Sequence, residues 1–136
     1  MRDYTSKTVY IGIDVHKKTY AVTAICNKEV VKKDTMTADC NNLLRYITKY
    51  FKGAVIYTAY EAGFSGFHLH RFLIKNGVKN IVVHPASIEV SSRDRVKTDK
   101  RDSLKIASQL SNGVLKREHK KAGGIYAAFN PFQASI

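Results

Sequence analysis

The stretch AVIYTAYEAGFSG, residues 54–66, decides the fold that we predict for this chain. Its first seven residues form a short apolar run, which is typical of a strand buried in a parallel sheet. A single carboxylate, Glu61, follows this run, and residues 66–77 then predict a helix that ends at Gly77. Another short strand, NIVVH at residues 80–84, comes next. The stretch therefore belongs to a β-α-β crossover, and Glu61 lies at the carboxyl end of a parallel strand.

The residues before this stretch predict an antiparallel meander. The β-rich segments VYIGID (9–14), TYAVTAIC (19–26) and EVVKKDTMT (29–37) read as strands, and the short NK between the last two indicates a hairpin. A helix over residues 41–51 is predicted next, because apolar side chains recur there at helical intervals, and either Thr37 or Asp39 is its expected N-cap.

A third helix is predicted over residues 98–113, with Leu104, Ala107 and Leu110 on one side and Gly113 at its end. The order β-β-β-α-β-α-β-α is that of an α/β, ribonuclease-H-like (RuvC-like) domain, in which a mixed five-stranded sheet is flanked by helices. This prediction concerns the fold, and a fold does not by itself give a function.

Composition favours a nucleic-acid partner. The chain of 136 residues has the size of one domain, and its formal net charge is +12. Residues 93–121 hold ten basic residues against four acids, so the excess is concentrated near the predicted third helix.

No apolar run approaches the ~20 residues of a membrane span, so we expect no membrane partner. Two cysteines without metal spacing indicate a reducing compartment, and we expect a cytoplasmic protein.

The placement of four acids suggests a metal site. Asp14 ends the first strand and Glu61 ends the fourth, and these strands are parallel neighbours in the predicted topology. Asp99 and Asp102 are three residues apart and would share one face of the third helix. Converging carboxylates repel each other, and a divalent ion removes that repulsion. Oxygen ligands suit Mg²⁺ or Mn²⁺, and two such ions ~3.5–4 Å apart can hold the oxygens of a phosphodiester displacement.

Basic residues surround these acids in the sequence. We predict that they contact the phosphates of a nucleic acid, although a solvated basic face is the alternative interpretation. The residues are Lys17, Arg93, Arg95, Lys97, Lys100 and Arg101.

Three segments resemble a known family: IGIDVHKK (11–18), YEAG (60–63) and VKTDKRDSLKIA (96–107). They are similar to the DEDD-type insertion-sequence transposases, also known as bridge-RNA-guided recombinases, and to the related pilin-gene invertases. The resemblance covers residues 8–115 as a RuvC-like catalytic domain and leaves residues 116–136 as a tail. It implies that Asp14, Glu61, Asp99 and Asp102 are the family's four catalytic acids. It further implies DNA cleavage and exchange, Mg²⁺ dependence, a guide RNA, and a homo-oligomer of the full-length protein.

The chain also departs from the family. Ser103 follows the fourth acid, where the family has alanine or another small residue. Family members continue into a coiled coil and a second domain with a serine nucleophile, so we expect residues 1–136 alone to be incomplete as a recombinase.

Other functions remain open at this stage. One is a non-catalytic nucleic-acid-binding module derived from a transposase, and a close variant of the first interpretation is a Holliday-junction resolvase. Another is an ATP-binding domain of the actin and sugar-kinase type, which also opens with an IGID strand. That fold usually has glycine after the aspartate, whereas Val15 stands here.

Overall fold

A computed structural model describes residues 3–63, 66–83 and 101–115 of the chain. These residues form a five-stranded sheet and three helices. The elements in chain order are β1 (Thr8–Val15), β2 (Thr19–Cys26), β3 (Glu29–Thr37), α1 (Cys40–Tyr50), β4 (Val55–Glu61), α2 (His68–Lys75), β5 (Lys79–Val83) and α3 (Ser103–Asn112).

The sheet is mixed, with strand order β3-β2-β1-β4-β5. β1 runs antiparallel to β2 and parallel to β4, and β4 runs parallel to β5. This arrangement confirms the predicted ribonuclease-H-like fold. The β2–β3 hairpin turns at Asn27 and Lys28, whose φ angles are 53° and 64°. Two successive positive φ values are those of a type I′ turn, whose twist matches that of the flanking strands.

One face of the sheet packs against α1 and α2, and we call it the α1/α2 face. It buries a large apolar cluster that includes Ile11, Ile13, Leu43 and Leu73, all fully buried. Asp39 caps α1, because its carboxylate accepts a hydrogen bond from the Asn41 amide at 2.8 Å. The apolar side chains that predicted α1 therefore lie where the helix meets the sheet.

The opposite face packs against α3, and we call it the α3 face. A smaller apolar cluster lies there, formed by Ala59, Ile81, Val83, Ile106 and Leu110. α3 crosses β1 at Gly12, where an added Cβ would overlap the Ser103 carbonyl oxygen and the Ala107 amide nitrogen. Only glycine therefore allows α3 to lie this close to β1.

The predicted start of the third helix is wrong. α3 begins at Ser103 rather than near residue 98, and Arg101 and Asp102 are not helical. The reason is local, because the Asp102 carboxylate accepts a hydrogen bond from the Lys105 amide at 2.8 Å and caps the helix as its N-cap residue. The helix ends as predicted, at Gly113 with φ 75°.

The predicted buried side of this helix is wrong in one position. Ala107 and Leu110 are fully buried, but Leu104 is 38% exposed, and Ser103 and Ile106 complete the buried side. Among the helices of the described residues, none has the length and apolarity needed to cross a bilayer.

Candidate functional site

Asp14 and Glu61 lie side by side at one edge of the sheet. In the parallel register of β1 and β4, Ile13 pairs with Tyr60, so the two acids are the next residues on their strands. Both side chains are largely buried, with 13% of Asp14 and 4% of Glu61 exposed. Their placement at the carboxyl ends of neighbouring parallel strands is therefore as predicted, at the edge where open α/β sheets bind ligands.

Each of these acids has a close basic neighbour. The Arg101 guanidinium lies 2.6 Å from Glu61 Oε2, and the Arg101 amide donates to Glu61 Oε1 at 3.4 Å. The Nε2 atom of His16 lies 3.1 Å from Asp14 Oδ2. Arg101 was predicted to contact phosphate, but in this structure it ties the segment before α3 to the end of β4. The sequence pattern gave no indication of either pairing.

Asp102 and Asp14 line a common pocket. The pocket has a volume of about 260 Å³ and opens between the start of α3 and strands β1 to β3. The candidate acids Asp14 and Asp102 are lining residues, and Glu61 is not among them. The full lining is Asp14, Ala21, Val22, Lys33, Asp34, Thr35, Asp102 and Ser103.

The described acids Asp14, Glu61 and Asp102 supply suitable ligands for a hard divalent cation, but these three are not gathered around one point. Within residues 3–63, 66–83 and 101–115, no three side chains of His, Cys, Asp or Glu lie close enough to hold a metal ion together. Within the described residues, Glu61 pairs with Arg101, and the Asp102 carboxylate caps α3 through Oδ1. The oxygen donors fit Mg²⁺ or Mn²⁺ in chemistry.

Small residues and one buried hydrogen bond fix α3 over the sheet. Thr23 Oγ1 and Ser103 Oγ lie 2.8 Å apart, and both residues are buried. Together with the close approach at Gly12, this bond sets the position of Asp102 relative to Asp14. Ser103 was expected only as a departure from the family, and roles for Gly12 and Thr23 were not predicted. The glycine between two apolar residues in VYIGID was the available signal.

The remaining predicted site residues are only partly described. Lys17 is exposed in the turn between β1 and β2, three residues after Asp14. The others lie outside the described residues, so their predicted roles stay predictions. They are Arg93, Arg95, Lys97, Asp99 and Lys100.

Comparison with known proteins agrees with the fold. A ribonuclease-H-like sheet with carboxylates at its edge describes a broad class of domains. Within that class, the family model of the DEDD transposases of the IS110 type, described as a transposase, matches residues 11–127. The chain belongs to this family. The match passes the end of α3, and the domain boundary at residue 115 stays a prediction.

Two relatives carry transposase names. The chain is 35% identical over 104 residues to the transposase for insertion sequence element IS1533 of Leptospira borgpetersenii. It is 33% identical over 115 residues to the protein y4qE of Sinorhizobium fredii, also named a transposase. These alignments cover 74% and 80% of this chain but only 30% and 29% of the two relatives. The chain thus spans about a third of their length.

Proposed function

We propose that this chain is the acidic catalytic domain of a DNA transposase, acting on phosphodiester bonds during transposition. The observation that carries the proposal is the adjacency of Asp14 and Glu61 at the ends of β1 and β4, on the same edge as Asp102. Family membership supports the same function. In this proposal Asp14, Glu61, Asp99 and Asp102 are the catalytic acids.

The acids would hold Mg²⁺ or Mn²⁺, with two ions expected. Such ions supply Lewis-acid stabilisation for the attacking and leaving oxygens of a phosphodiester displacement. The contribution of the protein is to place two carboxylates on rigid neighbouring strands and a third at the start of a fixed helix. Because Glu61 is nearly fully buried, its charge would lie inside the protein. Electrostatic interactions are stronger there than in water.

Arg101 would change partner when the site is loaded. Its guanidinium now neutralises Glu61 at 2.6 Å. A cation at the acids would take over that neutralisation and leave the guanidinium available for a phosphate of the DNA. This exchange reconciles the predicted phosphate contact of Arg101 with its ion pair in the structure.

The alternatives have less support. An ATP-binding domain of the actin and sugar-kinase type is disfavoured by the family match, and also by Val15, which follows Asp14 where that fold usually has glycine. A non-catalytic nucleic-acid-binding module remains the second candidate. It differs from the first only in whether the acids bind a metal.

A guide RNA, a homo-oligomer of the full-length protein and a cytoplasmic location belong to the same proposal. Their support is the family resemblance, together with the net charge of +12 for a polyanionic partner.

DNA binding with and without metal tests the proposal. The chain should bind a short duplex with a log–log salt slope of about −0.9 for each phosphate neutralised. At a salt concentration that weakens the electrostatic binding of the basic residues to the duplex, Ca²⁺ or Mg²⁺ should strengthen binding, because a cation at the acids also contacts phosphate. Asp14→Asn should abolish the metal-dependent part, whereas Glu29→Gln, a matched change at an exposed acid on β3, should keep it. A wild-type chain without any metal-dependent part would favour the non-catalytic module.

A further inference from the structure

Strand β3 places two side chains beside the candidate site. In the sheet register, Thr35 pairs with Ala21, and Ala21 pairs with Asp14. Lys33 pairs with Thr23, which pairs in turn with Gly12, the residue that faces α3. Because directly paired residues point to the same side of a sheet, Lys33 and Thr35 lie on the α3 face. Both are exposed, and both line the pocket of Asp14 and Asp102.

The neighbouring lysine shows what distinguishes Lys33. Lys32 points to the α1/α2 face, where its Nζ lies 3.3 Å from Asp34 and 4.1 Å from the centre of the Tyr50 ring. Lys32 is therefore engaged within the fold. Lys33 forms no ion pair with any residue of the described segments. Its charge is available to a ligand in the pocket.

The lining of the pocket carries charges of both signs. Asp14 and Asp102 are acidic lining residues, and the side chains of Lys33 and Thr35 line the same pocket. Asp34 lines it as well, and its carboxylate is paired with Lys32 at 3.3 Å. A phosphate group is an anion with several acceptor oxygens, so it suits a lysine and a hydroxyl donor. Carboxylates repel a phosphate unless a cation lies between them. An anion that entered this pocket would therefore turn its oxygens towards Lys33 and Thr35.

We propose that Lys33 and Thr35 bind a phosphodiester group of the DNA strand and hold it in the pocket that Asp14 and Asp102 also line. This inference rests on the proposed function and adds to it a phosphate-binding wall on β3. Lys33 and Thr35 are positioning residues here, since their contact is to a phosphate and not to a reacting atom. The competing explanation for Lys33 is protection of an edge strand, because β3 is the outermost strand and lysines there discourage edge-to-edge pairing.

Binding of a minimal phosphodiester separates the two explanations. The probe is the dinucleotide TpT, titrated into the ¹⁵N-labelled chain, once with Mg²⁺ and once with EDTA. TpT should shift the amide signals of Thr35 and Ser103. Lys33→Ala should weaken TpT binding about fivefold to tenfold, as expected for one charge-assisted hydrogen bond. Lys33→Arg should keep most of the affinity, and Thr35→Val should lose about twofold to fivefold.

Lys75→Ala is the matched control, because Lys75 is an exposed lysine on α2, on the other side of the sheet. If Lys33→Ala and Lys75→Ala reduce TpT binding equally, or if the shifts map away from the pocket, the inference is overturned. Tighter binding of the ribonucleotide UpU than of TpT would overturn the assignment to DNA. The titration with EDTA measures the binding of TpT by Lys33 and Thr35 in the absence of metal. Its result therefore does not depend on whether the acids bind a metal ion.

Discussion

The two faces of the sheet are built differently. The α1/α2 face buries large side chains, with Ile11, Leu43, Tyr60 and Leu73 all fully buried beneath two helices. On the α3 face, Gly12 and Ala59 lie beneath a single helix. That face also carries the charged residues Asp14 and Glu61. One face therefore stabilises the domain, and the other positions the candidate site.

The difference teaches where the site is vulnerable. A large apolar cluster loses stability when a side chain is shortened, but distant groups keep their places. A helix held over glycine and alanine depends on close approach, so one added methyl group can displace it together with Asp102 at its N-cap. Substitutions on the two faces should thus separate stability from ligand binding.

The largest expected effect comes from a pair of variants, one on each face. Leu43→Ala should lower the free energy of unfolding by about 2–5 kcal/mol, because it leaves a cavity in the core. Gly12→Ala should lower it by about 1–3 kcal/mol, because both atoms that the new Cβ meets belong to the backbone. Urea unfolding measures both, and Mn²⁺ affinity measured under folding conditions should fall only in Gly12→Ala. A Leu43→Ala chain that stays folded yet loses Mn²⁺ affinity would break the comparison.

The next effect concerns a polar cluster within the α1/α2 face. The Nδ1 atom of His70 lies 2.9 Å from the Asn80 amide nitrogen, and Asn80 Oδ1 lies 2.7 Å from the Thr58 hydroxyl. Burial, aided by the nearby Arg71 charge, lowers the pKa of His70 to about 4. The unfolded chain binds this proton with a pKa of about 6.5. Stability is therefore full above pH 6.5 and is lost as the pH falls towards 4.

Chemical unfolding at several pH values measures this loss, which should be on the order of 3 kcal/mol for pKa values of about 6.5 in the unfolded and about 4 in the folded chain. His70→Gln should flatten the profile between pH 6.5 and 4. His68→Gln is the matched control, since His68 is exposed on the same helix, and it should leave the profile unchanged. Equal profiles for wild type and His70→Gln would mean that His70 accepts a proton in the folded protein.

The smallest expected effect is a change in Mn²⁺ affinity when the ion pair between Arg101 and Glu61 on the α3 face is removed. Arg101→Gln removes the cation at 2.6 Å from Glu61, so Mn²⁺ should bind about twofold to fivefold more tightly, because the guanidinium no longer competes for this carboxylate. Lys105→Gln removes an exposed charge from the first turn of the same helix and is the control. Calorimetric titration of both variants gives the comparison. Weaker binding in Arg101→Gln would show that Arg101 supports the metal site rather than competing for Glu61.

The α1/α2 face could be predicted from local signals. Apolar periodicity gave α1, and the Asp39 cap was one of two expected candidates. The bounds of β2 and β3 were predicted correctly, and Asp14 and Glu61 fell at the expected edge because strand ends follow from the topology.

The α3 face could not be predicted in the same way. Its arrangement depends on contacts between residues far apart in sequence, such as Thr23 with Ser103 and Glu61 with Arg101. The DKRDSLKIA stretch predicts a helix by its periodicity. Periodicity does not show that the Asp102 carboxylate accepts a hydrogen bond from the Lys105 amide and so caps the helix. The close approach at Gly12 is a tertiary contact, and a glycine within a strand only hints at it.

Manganese binding to the acids tests the central claim most directly. We expect Mn²⁺ to broaden the amide signals of residues at the carboxyl ends of β1 and β4 in the wild-type chain. Asp14→Asn and Glu61→Gln should each abolish this broadening, while Glu29→Gln keeps it. If both site variants bind Mn²⁺ as the wild type does, the edge formed by Asp14 and Glu61 is not the metal site, and the proposed catalytic role is contradicted.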